Sequence, residues 1–396
     1  MALVLVVGAG FSGSVAAREL AGAGHRVVVA ERRGHVGGNA YDERDQAGVL
    51  VHRYGPHIFH TNAARVWEYL SQFTAWRPYE HRVLASVDGQ LLPLPINRTT
   101  INRLYGWQLT EAGVARHLRR VAVPRAELRT SEDVVLSRVG PDLAERFFRG
   151  YTRKQWSRDL SELGPGVAGR IPVRTTEEDR YFTDRWQAMP ANGYAALFHR
   201  LLNHPRIELR LGTEGLVAPE RGQAAAVVYT GPLDAYFDYR LGRLPYRSIR
   251  FAHEHLPGVA QLQPVATINY PGPEPFTRVT EFKHLTGQVH PGTSIVREYP
   301  TDVGDPYYPV PSPASNHLAN QYRALAAREH GVVFLGRLAQ YRYLNMDQAV
   351  AAALQASDRL RADLGARGGC ASPDAPAGST ATTDPASPRP RRPSPG

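Results

Sequence analysis

Near the start of the chain, apolar residues and glycines follow a pattern that predicts a β-α-β unit. Leu3–Val7 is a short, continuous apolar run, which is typical of a strand buried on both faces of a parallel sheet. A helix is predicted over Ser14–Leu20, where glycines then end it. A second, Val-rich strand over 26–30 leads into Glu31, which gives the unit its usual length of about 30 residues.

Further along the chain the period of the apolar residues changes several times. Strands and loops are predicted over 84–97, helices over 110–156 with a cap at Thr130–Asp133, and mainly short strand-like pieces over 171–299. Later elements are predicted as strands over 207–211, 224–229 and 332–335, and as helices over 313–330 and 346–364. Because the later strands are apolar like the first two, we expect the first domain to be discontinuous and closed by its C-terminal part.

Length and charge limit the classes of protein that need to be considered. The 396 residues exceed the roughly 250–300 at which a single core stops growing, so two or three lobes around a shared site are expected. The formal net charge is +10, and of the 47 basic residues only Lys154 and Lys283 are lysines. A GC-rich coding sequence explains this bias, although planar arginine donors also suit phosphate. The arginines are spread along the chain without a nucleic-acid-binding motif, so no nucleic-acid partner is expected.

Cysteine content and the chain termini bear on location. The single cysteine, Cys370, excludes an internal disulfide and a multi-cysteine metal site. The first residues enter a strand directly, with neither a basic segment nor a cleavage site, and no apolar run reaches about 18 residues. We therefore expect a cytoplasmic protein without membrane insertion. Residues 371–396 are rich in Pro, Ser, Thr and Ala, which predicts a disordered tail.

The glycines after the first strand carry the first chemical signal. Gly8, Gly10 and Gly13 have the G-x-G-x-x-G spacing, and Glu31 stands at the end of the next strand. Such glycines permit a tight turn and a close approach of the backbone to a pyrophosphate, which the helix N-terminus then faces. The acidic residue can accept hydrogen bonds from ribose hydroxyls. The context predicts dinucleotide binding; the alternative is a glycine-rich turn without a ligand.

The residues that follow favour FAD over NAD. A second glycine pair, Gly37-Gly38, resembles the segment that FAD-binding oxidoreductases place beside the cofactor phosphates. Many amine oxidases continue this segment with arginine. Here Asn39 follows, which favours another branch of flavoproteins.

Nine further segments, in the same order, resemble the UDP-galactopyranose mutase family, and the resemblance extends over about residues 1–365. They are Tyr54–Thr61, Pro93–Asn97, Gly150–Trp156, Arg170–Arg174, Tyr181–Arg185, Met189–Tyr194, Thr277–His284, Pro306–Pro309, and Gly336–Leu338 with Tyr341–Tyr343. The resemblance implies an α/β fold with a discontinuous Rossmann-type FAD-binding domain, a helical domain and an antiparallel β-sheet domain. The expected boundaries are 1–75 with 189–243 and 325–366 for the first, 98–165 for the second, and 76–97 with 166–188 and 244–324 for the third.

The family's residue roles are carried over to the matching positions of this chain. Contacts to FAD are implied for Gly8, Gly10, Phe11, Ser12, Gly13, Glu31, Arg32, Gly38, Asn39, His57, Ile58, Arg337, Tyr343 and Met346. Contacts to substrate are implied for Tyr151, Thr152, Trp156, Arg170, Tyr181, Asn269, Arg278, Tyr308, Tyr343 and Asn345. Catalytic roles are implied for Arg170, Arg278, His57 and His60, and no metal is expected. Taken alone, the histidines can also be structural or a metal pair, the aromatic residues core side chains, and the arginines solvated charges.

The resemblance implies a redox-neutral isomerisation of UDP-galactopyranose and UDP-galactofuranose, in which N5 of reduced FAD attacks the anomeric carbon and UDP leaves. NAD(P)H or another reductant would reduce the flavin, and relatives suggest a homodimer. Asn345 stands where the family often has Asp, which leaves another nucleotide sugar of the fucose, arabinose or heptose type open as the substrate. A flavin-dependent oxidoreductase and an inactive binding protein are the alternatives of a different class.

Overall fold

The computed structural model describes residues 1–369, so the expected tail over 371–396 lies outside the described residues. The strands, in chain order, are β1 (Leu3–Val7), β2 (Arg26–Glu31), β3 (Asp42–Arg44), β4 (Leu50–His52), β5 (Phe59–Thr61), β6 (Trp76–Pro78), β7 (Val83–Val87), β8 (Gln90–Leu94), β9 (Trp186–Pro190), β10 (Ile207–Leu211), β11 (Ala226–Tyr229), β12 (Tyr246–Leu256), β13 (Thr267–Asn269), β14 (Arg278–Glu281), β15 (Thr293–Thr301), β16 (Tyr308–Pro309) and β17 (Val332–Phe334).

The α-helices, again in chain order, are α1 (Phe11–Gly22), α2 (Ala64–Ser71), α3 (Arg98–Tyr105), α4 (Glu111–Val121), α5 (Ser131–Leu143), α6 (Gly150–Trp156), α7 (Gly166–Gly169), α8 (Gly193–Leu202), α9 (Leu233–Tyr236), α10 (Phe282–Thr286), α11 (Pro313–Ala326), α12 (Gly336–Ala339) and α13 (Met346–Gly369). Between α5 and α6, residues 144–149 form a π-helical segment. No helix within the described residues combines the length and the apolar character that crossing a membrane requires.

A five-stranded parallel sheet carries the first predicted domain. Its strand order is β10-β2-β1-β11-β17, so strands from three distant parts of the chain lie side by side. Val4, Leu5 and Val6 at its centre are completely buried, which explains why β1 reads as a continuous apolar run. The predicted Rossmann-type fold, with late strands that return to the first sheet, is confirmed. The domain boundaries themselves stay predictions.

The second large sheet has the order β16-β12-β15-β14-β13-β7-β8. Its neighbours pair antiparallel, as predicted, except that β13 pairs with β7 in parallel. Asn269 on β13 lies opposite Arg278 on β14, which in turn lies opposite Glu298 on β15. Three polar residues are therefore aligned in one row across neighbouring strands.

The helical part packs on β7 and β8 through a separate apolar core. Helix α5 begins at the predicted cap, where the Thr130 side chain accepts from the Asp133 N–H and Asp133 bonds back to Thr130. Gly140, with φ 73° and ψ 179°, breaks the helix before Pro141. The chain then continues through the π-helical segment into α6, so that residues of α6 point in a direction that a regular continuation of α5 would not give.

Three helices, α8, α9 and α10, lie in a segment for which no helix was predicted. Helix α8 lies within the segment 171–299, where short strand-like pieces were expected to dominate. Its buried residues Tyr194, Leu197, Phe198 and Leu201 have the i, i+3, i+4, i+7 spacing of an amphipathic helix. The expectation that strands dominate this segment is correct for the segment as a whole, which contains β9 to β14, but the helix of ten residues inside it was not predicted.

Candidate active site

A cavity of about 650 Å³, here called the glycine-loop cavity, lies at the carboxyl ends of β1, β2 and β11. This is the edge of an open α/β sheet at which ligands bind. Of the predicted cofactor residues, the cavity is lined by Gly8, Gly10, Phe11, Ser12, Gly13, Glu31, Arg32, Gly38, Asn39, His57, Arg337 and Met346. The other two predicted cofactor residues, Ile58 and Tyr343, line the second cavity described below.

The glycine loop has the close backbone approach that its sequence predicts. Gly8 has a φ of +100°, and a Cβ atom on Gly13 would lie 1.9 Å from the Gly8 carbonyl oxygen. Helix α1 therefore starts directly against the loop. Among the described residues, no side chain caps the N-terminus of α1, and its first turn holds no acidic residue. Free N–H groups and the positive end of the helix dipole thus face the cavity, which suits a pyrophosphate.

Charged side chains form hydrogen bonds along the rim of the glycine-loop cavity. Glu31 is 6% exposed, and its carboxylate accepts hydrogen bonds from the Ala9 N–H at 2.8 Å and the Arg33 N–H at 2.9 Å. The Arg33 guanidinium donates to Asn39 at 3.0 Å and to Asp305 at 2.9 Å. The structure therefore adds Arg33 and Asp305 to the predicted residues of this rim. Asp305 is distant in sequence from Arg33, so the spacing of nearby residues did not predict it.

A second cavity of about 1060 Å³, here called the arginine cavity, opens between the large sheet, the helical part and the segment 166–185. It is lined by all the predicted substrate residues, namely Tyr151, Thr152, Trp156, Arg170, Tyr181, Asn269, Arg278, Tyr308, Tyr343 and Asn345. His57, His60 and Ile58 line it as well. Residues His57, Arg337, Asn345 and Met346 belong to both walls, so the two cavities meet at these side chains.

Arginine and tyrosine side chains alternate on one wall of the arginine cavity. The Arg170 guanidinium carbon lies 3.7 Å from the centre of the Tyr343 ring, and that of Arg337 lies 4.9 Å from the same ring. The rings of Tyr308 and Tyr343 stack at 5.9 Å with an interplanar angle of 13°. Desolvation acts to raise the pKa of Tyr343, but the charges of Arg170 and Arg337 outweigh it and lower the pKa below its usual value. This wall combines positive charge with hydroxyl donors.

A buried ion pair lies beside that wall. Arg278 Nε is 2.9 Å from Glu298 Oε2, and Glu298 is 1% exposed. Burial raises the pKa of the Glu298 carboxyl, an effect that the charge of Arg278 opposes. The two groups are not aligned for a hydrogen bond, so Arg278 Nε and Glu298 Oε1 have no such partner within residues 1–369. Asn269 Oδ1 and Gln155 Oε1, also at this cavity, are likewise buried and unpaired there. Such unsatisfied groups indicate a place for a polar ligand.

His57 lies at the junction of the two cavities in its neutral form. Burial lowers the pKa of His57 to about 4; a hydrogen bond to the Gly55 carbonyl opposes this shift, and Arg337 and Arg278 add to it. The carbonyl oxygen of Gly55, 2.9 Å from Nδ1, can only accept, so Nδ1 carries the proton. Nε2 is therefore free to accept a hydrogen bond from a ligand.

His60 has a different environment. Its Nδ1 lies 3.0 Å from Asp184 Oδ2, and its ring stacks on Phe182 at 3.6 Å. His60 thus attaches the segment 181–185 to β5. Within residues 1–369 no three His, Cys, Asp or Glu side chains are grouped so that they could hold a metal ion. The arginine cavity is also lined by polar residues to which the sequence gave no role, among them Arg138, Arg174, His81, Asp184 and Glu298.

Comparison with known proteins gives consistent results for both halves of this site. The family model "UDP-galactopyranose mutase" matches residues 146–343, and "NAD(P)-binding Rossmann-like domain" matches residues 6–73. A Klebsiella pneumoniae protein named "Probable UDP-galactopyranose mutase" is 41% identical, over 90% of this chain and 94% of its own length. The dTDP-fucopyranose mutase of Escherichia coli is 38% identical, over 89% of this chain and 96% of its own.

The fold is shared with a solved structure. The crystal structure of a reduced UDP-galactopyranose mutase superimposes with a TM-score of 0.72, covering 92% of this chain and 96% of the other at 17% identity. At that identity the superposition shows the fold alone. The sequence relatives carry the assignment further, since they are more than 30% identical over most of both chains. The chain therefore belongs to the UDP-galactopyranose mutase family of isomerases.

Proposed function

We propose that this protein interconverts UDP-galactopyranose and UDP-galactofuranose, with FAD in the glycine-loop cavity and the nucleotide sugar in the arginine cavity. The observation that carries this proposal is the junction of the two cavities at His57, Arg337, Asn345 and Met346. A cofactor that reacts with a sugar has to reach it, and a shared wall between a dinucleotide cavity and a phosphate-binding cavity permits this.

Family membership implies a flavin, and the glycine-loop cavity has the chemistry to hold FAD. The loop of Gly8, Gly10 and Gly13 with the uncapped start of α1 suits the pyrophosphate. A Cβ atom on Gly38 would lie 3.2 Å from Gly10 Cα, so a side chain there would fill the space between the two glycine segments. Glu31 would accept from the ribose. When bound, reduced FAD supplies the nucleophile for the anomeric carbon, and the reaction has no net redox change.

The residues of the arginine cavity would bind the diphosphate and stabilise it as it leaves. Arg170 and Arg278 offer planar donors that pair with phosphate oxygens. The hydroxyl groups of Tyr308 and Tyr343 add donors without adding charge. Because negative charge on UDP grows as the bond to the sugar breaks, donors aimed at these oxygens lower the barrier of this step.

The segment that carries Arg170 would serve as a lid. Arg170 is exposed, and its guanidinium lies against the Tyr343 ring at the wall of the cavity. Closure over a bound diphosphate would exclude water from the sugar. Nε2 of His57 would accept a hydrogen bond at the junction of the two ligands, because this histidine is neutral at physiological pH.

A second candidate keeps the chemistry and changes the substrate to a dTDP-linked fucose. It is favoured by the E. coli dTDP-fucopyranose mutase, which is nearly as similar to this chain as the K. pneumoniae relative. Asn345 also supports it, since this residue lines both cavities and offers an amide where a carboxylate would only accept hydrogen bonds. The substitution Asn345→Asp is therefore the first variant to compare between the two substrates.

The proposal is tested by purifying the protein, recording its visible spectrum, and incubating it with UDP-galactofuranose with and without dithionite. We expect a yellow protein that forms UDP-galactopyranose only when reduced. A yellow protein that converts dTDP-fucofuranose better would favour the second candidate. Net electron transfer in each turnover would indicate an oxidoreductase, and failure to bind FAD would refute the proposal.

Three accompanying expectations belong to the same proposal. We infer that the protein is a homodimer, that it acts in the cytoplasm, and that NAD(P)H or a similar donor reduces the flavin. Light scattering of the purified protein tests the first. Anaerobic bleaching of the flavin absorbance by NADH or NADPH tests the last.

A further inference from the structure

The two lysines of the chain have the same unusual environment. Lys154 Nζ donates toward four backbone carbonyl oxygens, those of Tyr270 at 2.5 Å, Gly272 at 2.9 Å, Glu274 at 2.9 Å and Phe276 at 3.1 Å. Lys283 Nζ lies within hydrogen-bond reach of the carbonyls of residues 260, 290 and 292. In a chain whose other basic residues are arginines, both lysines thus hold a loop by its carbonyl groups.

The choice of lysine at these sites has a chemical reason. An ammonium group is compact and directs three donors in three directions, so it can sit at the centre of converging carbonyl oxygens. The planar fork of arginine directs its donors within one plane and needs more room. Four oxygens exceed three donors, so the carbonyls of the 270–276 segment share the Lys154 ammonium group. A substitution of Lys154 by arginine therefore keeps the charge and loses the fit.

The segment that Lys154 holds connects two residues of the arginine cavity. Residues 270–277 form the turn between β13 and β14, which ends with the Tyr270 N–H bonded to the Thr277 carbonyl at 2.8 Å. Asn269 precedes this turn and Arg278 follows it, and the two residues are paired in register. Both line the cavity, and both have a buried polar atom without a hydrogen-bond partner within the described residues.

A second contact fixes the same turn to the same helix. A Cβ atom on Gly150, at the start of α6, would lie 2.1 Å from the Pro271 carbonyl oxygen. The turn therefore rests on α6 at a distance that only glycine permits. Helix α6 also carries Tyr151 and Thr152, which line the cavity. Lys154 and Gly150 together set the distance between these two walls.

We propose that Lys154 is a positioning residue, which holds the turn 270–277 against α6 so that Asn269 and Arg278 face the nucleotide. The inference rests on the proposed function, because it assigns the uridine diphosphate portion of the substrate to this wall. Lys154 does not itself line the cavity, so its effect would reach the ligand through the turn. The burial of its ammonium group lowers the pKa of Lys154, in agreement with a structural contact rather than a solvated charge.

The test compares Lys154→Arg with Lys283→Arg, in which the other lysine loses the same kind of contact away from the cavity. We measure amide hydrogen exchange over residues 267–278 and the Kd for UDP by calorimetry. Lys154→Arg is expected to speed exchange in this segment and to raise the Kd by about tenfold, which is about 1.4 kcal/mol. In turnover, KM should rise more than kcat falls. Lys283→Arg should change neither exchange in this segment nor the Kd.

Gly150→Ala provides a second route if Lys154→Arg does not fold. It displaces the same turn with Lys154 intact, so it should raise the Kd for UDP in the same direction. Unchanged exchange over 267–278 in Lys154→Arg would overturn the inference, and so would faster exchange with an unchanged Kd. A wild-type protein that does not bind UDP would refute the proposed function itself, which separates that failure from a failure of the lysine variants.

Discussion

The guanidinium carbon of Arg170 lies 3.7 Å from the centre of the Tyr343 ring, although the two residues are far apart in sequence. Arg170 follows the short helix α7, and Tyr343 lies just before α13. A cation over an aromatic face is attracted by the ring quadrupole, and this attraction stabilises the position of the segment that carries Arg170. The same guanidinium would pair with the diphosphate once a substrate is present.

Removal of Arg170 is therefore expected to affect catalysis much more than folding. Arg170→Ala should lower kcat/KM by about 100-fold or more, comparable to the loss of one donor to a developing negative charge. Its thermal midpoint should stay close to that of the wild type, since the side chain is exposed. The measurement is a rate of sugar isomerisation with dithionite-reduced enzyme.

Arg185→Ala is the matched control for that substitution. The Arg185 guanidinium also lies over an aromatic ring, 4.4 Å from Trp186, but Arg185 does not line the arginine cavity. It should retain nearly full activity. Equal losses in the two variants would mean that the lid needs positive charge in general rather than this particular contact.

Gly13→Ala is expected to weaken FAD binding. The added Cβ would lie 1.9 Å from the Gly8 carbonyl oxygen and 3.0 Å from its carbon, and backbone atoms cannot move aside without opening the loop. The flavin content of the purified protein should fall, and the Kd for FAD should rise by about tenfold or more, which is at least about 1.4 kcal/mol.

The same helix offers a control for this variant. Gly22 ends α1, and a Cβ atom there would meet no atom of a neighbouring element within 4 Å in the part of the chain that the structure describes. Gly22→Ala should keep the flavin content of the wild type, because alanine is a better helix former than glycine. If Gly13→Ala also retains full flavin, the loop does not need the close approach that the structure shows.

Local signals in the sequence were sufficient for the parallel sheet and the glycine loop. A buried parallel strand needs apolar residues at every position, and a tight phosphate loop needs glycines. About a dozen residues are therefore enough to predict β1 and its loop. The predicted cap at Thr130 is confirmed for the same reason, since its hydrogen bonds join residues only three apart. Helix α8 was missed because prolines and glycines on both sides of it mark turns, which divide the segment into pieces as short as strands.

The prediction of the residues of the arginine cavity depended on the resemblance to a known family rather than on a local pattern in the sequence. Asn269, Arg278 and Glu298 lie in one row only because three strands pair in a particular register, which no spacing along the chain reveals. Asp184 and Asp305 were missed for the same reason, since each meets a partner far away in sequence. Glu298 matters because it is buried beside Arg278. The sequence of β15 does not reveal that this one charged residue is buried.

Stability should fall as the pH decreases below neutrality, because several histidines are held neutral. Burial lowers the pKa of His52 from 6.5 to about 3, and the neighbouring His57 and His253 add to this shift. The unfolded chain then binds more protons than the folded chain between these two values, so the free energy of unfolding decreases as the pH falls below 6.5. One such group contributes about 1.4 kcal/mol per pH unit within that window.

His52→Asn tests this contribution separately from the other titrating groups. His52 Nδ1 accepts a hydrogen bond from the backbone N–H of His57 at 3.0 Å. The Oδ1 atom of an asparagine can accept the same bond, but an asparagine side chain does not titrate. Urea unfolding of both proteins at pH 7 and pH 4.5 should show a smaller loss of stability in the variant, although it starts from a lower value at pH 7. Parallel pH profiles would show that His52 titrates alike in the folded and unfolded chains.

Ser157→Gly is expected to stabilise the protein. Ser157 ends α6 with a φ of 51° and a ψ of 33°, and its N–H bonds to the Arg153 carbonyl at 2.9 Å. This left-handed conformation costs an L-residue about 1–2 kcal/mol, which glycine avoids, while its greater freedom in the unfolded chain takes back part of the gain. A net increase of about 0.5–1 kcal/mol in the free energy of unfolding is expected, measured by urea titration.

Ser157→Ala separates this effect from the loss of the hydroxyl group. Alanine keeps the Cβ atom and therefore the strain, so it should be no more stable than the wild type. Activity should be unchanged in both variants because Ser157 is exposed and does not line the arginine cavity, whereas Trp156 immediately before it does. If alanine and glycine stabilise equally, the hydroxyl group rather than the backbone conformation is the source of the cost. If neither stabilises, the left-handed conformation at this helix end is relaxed in solution.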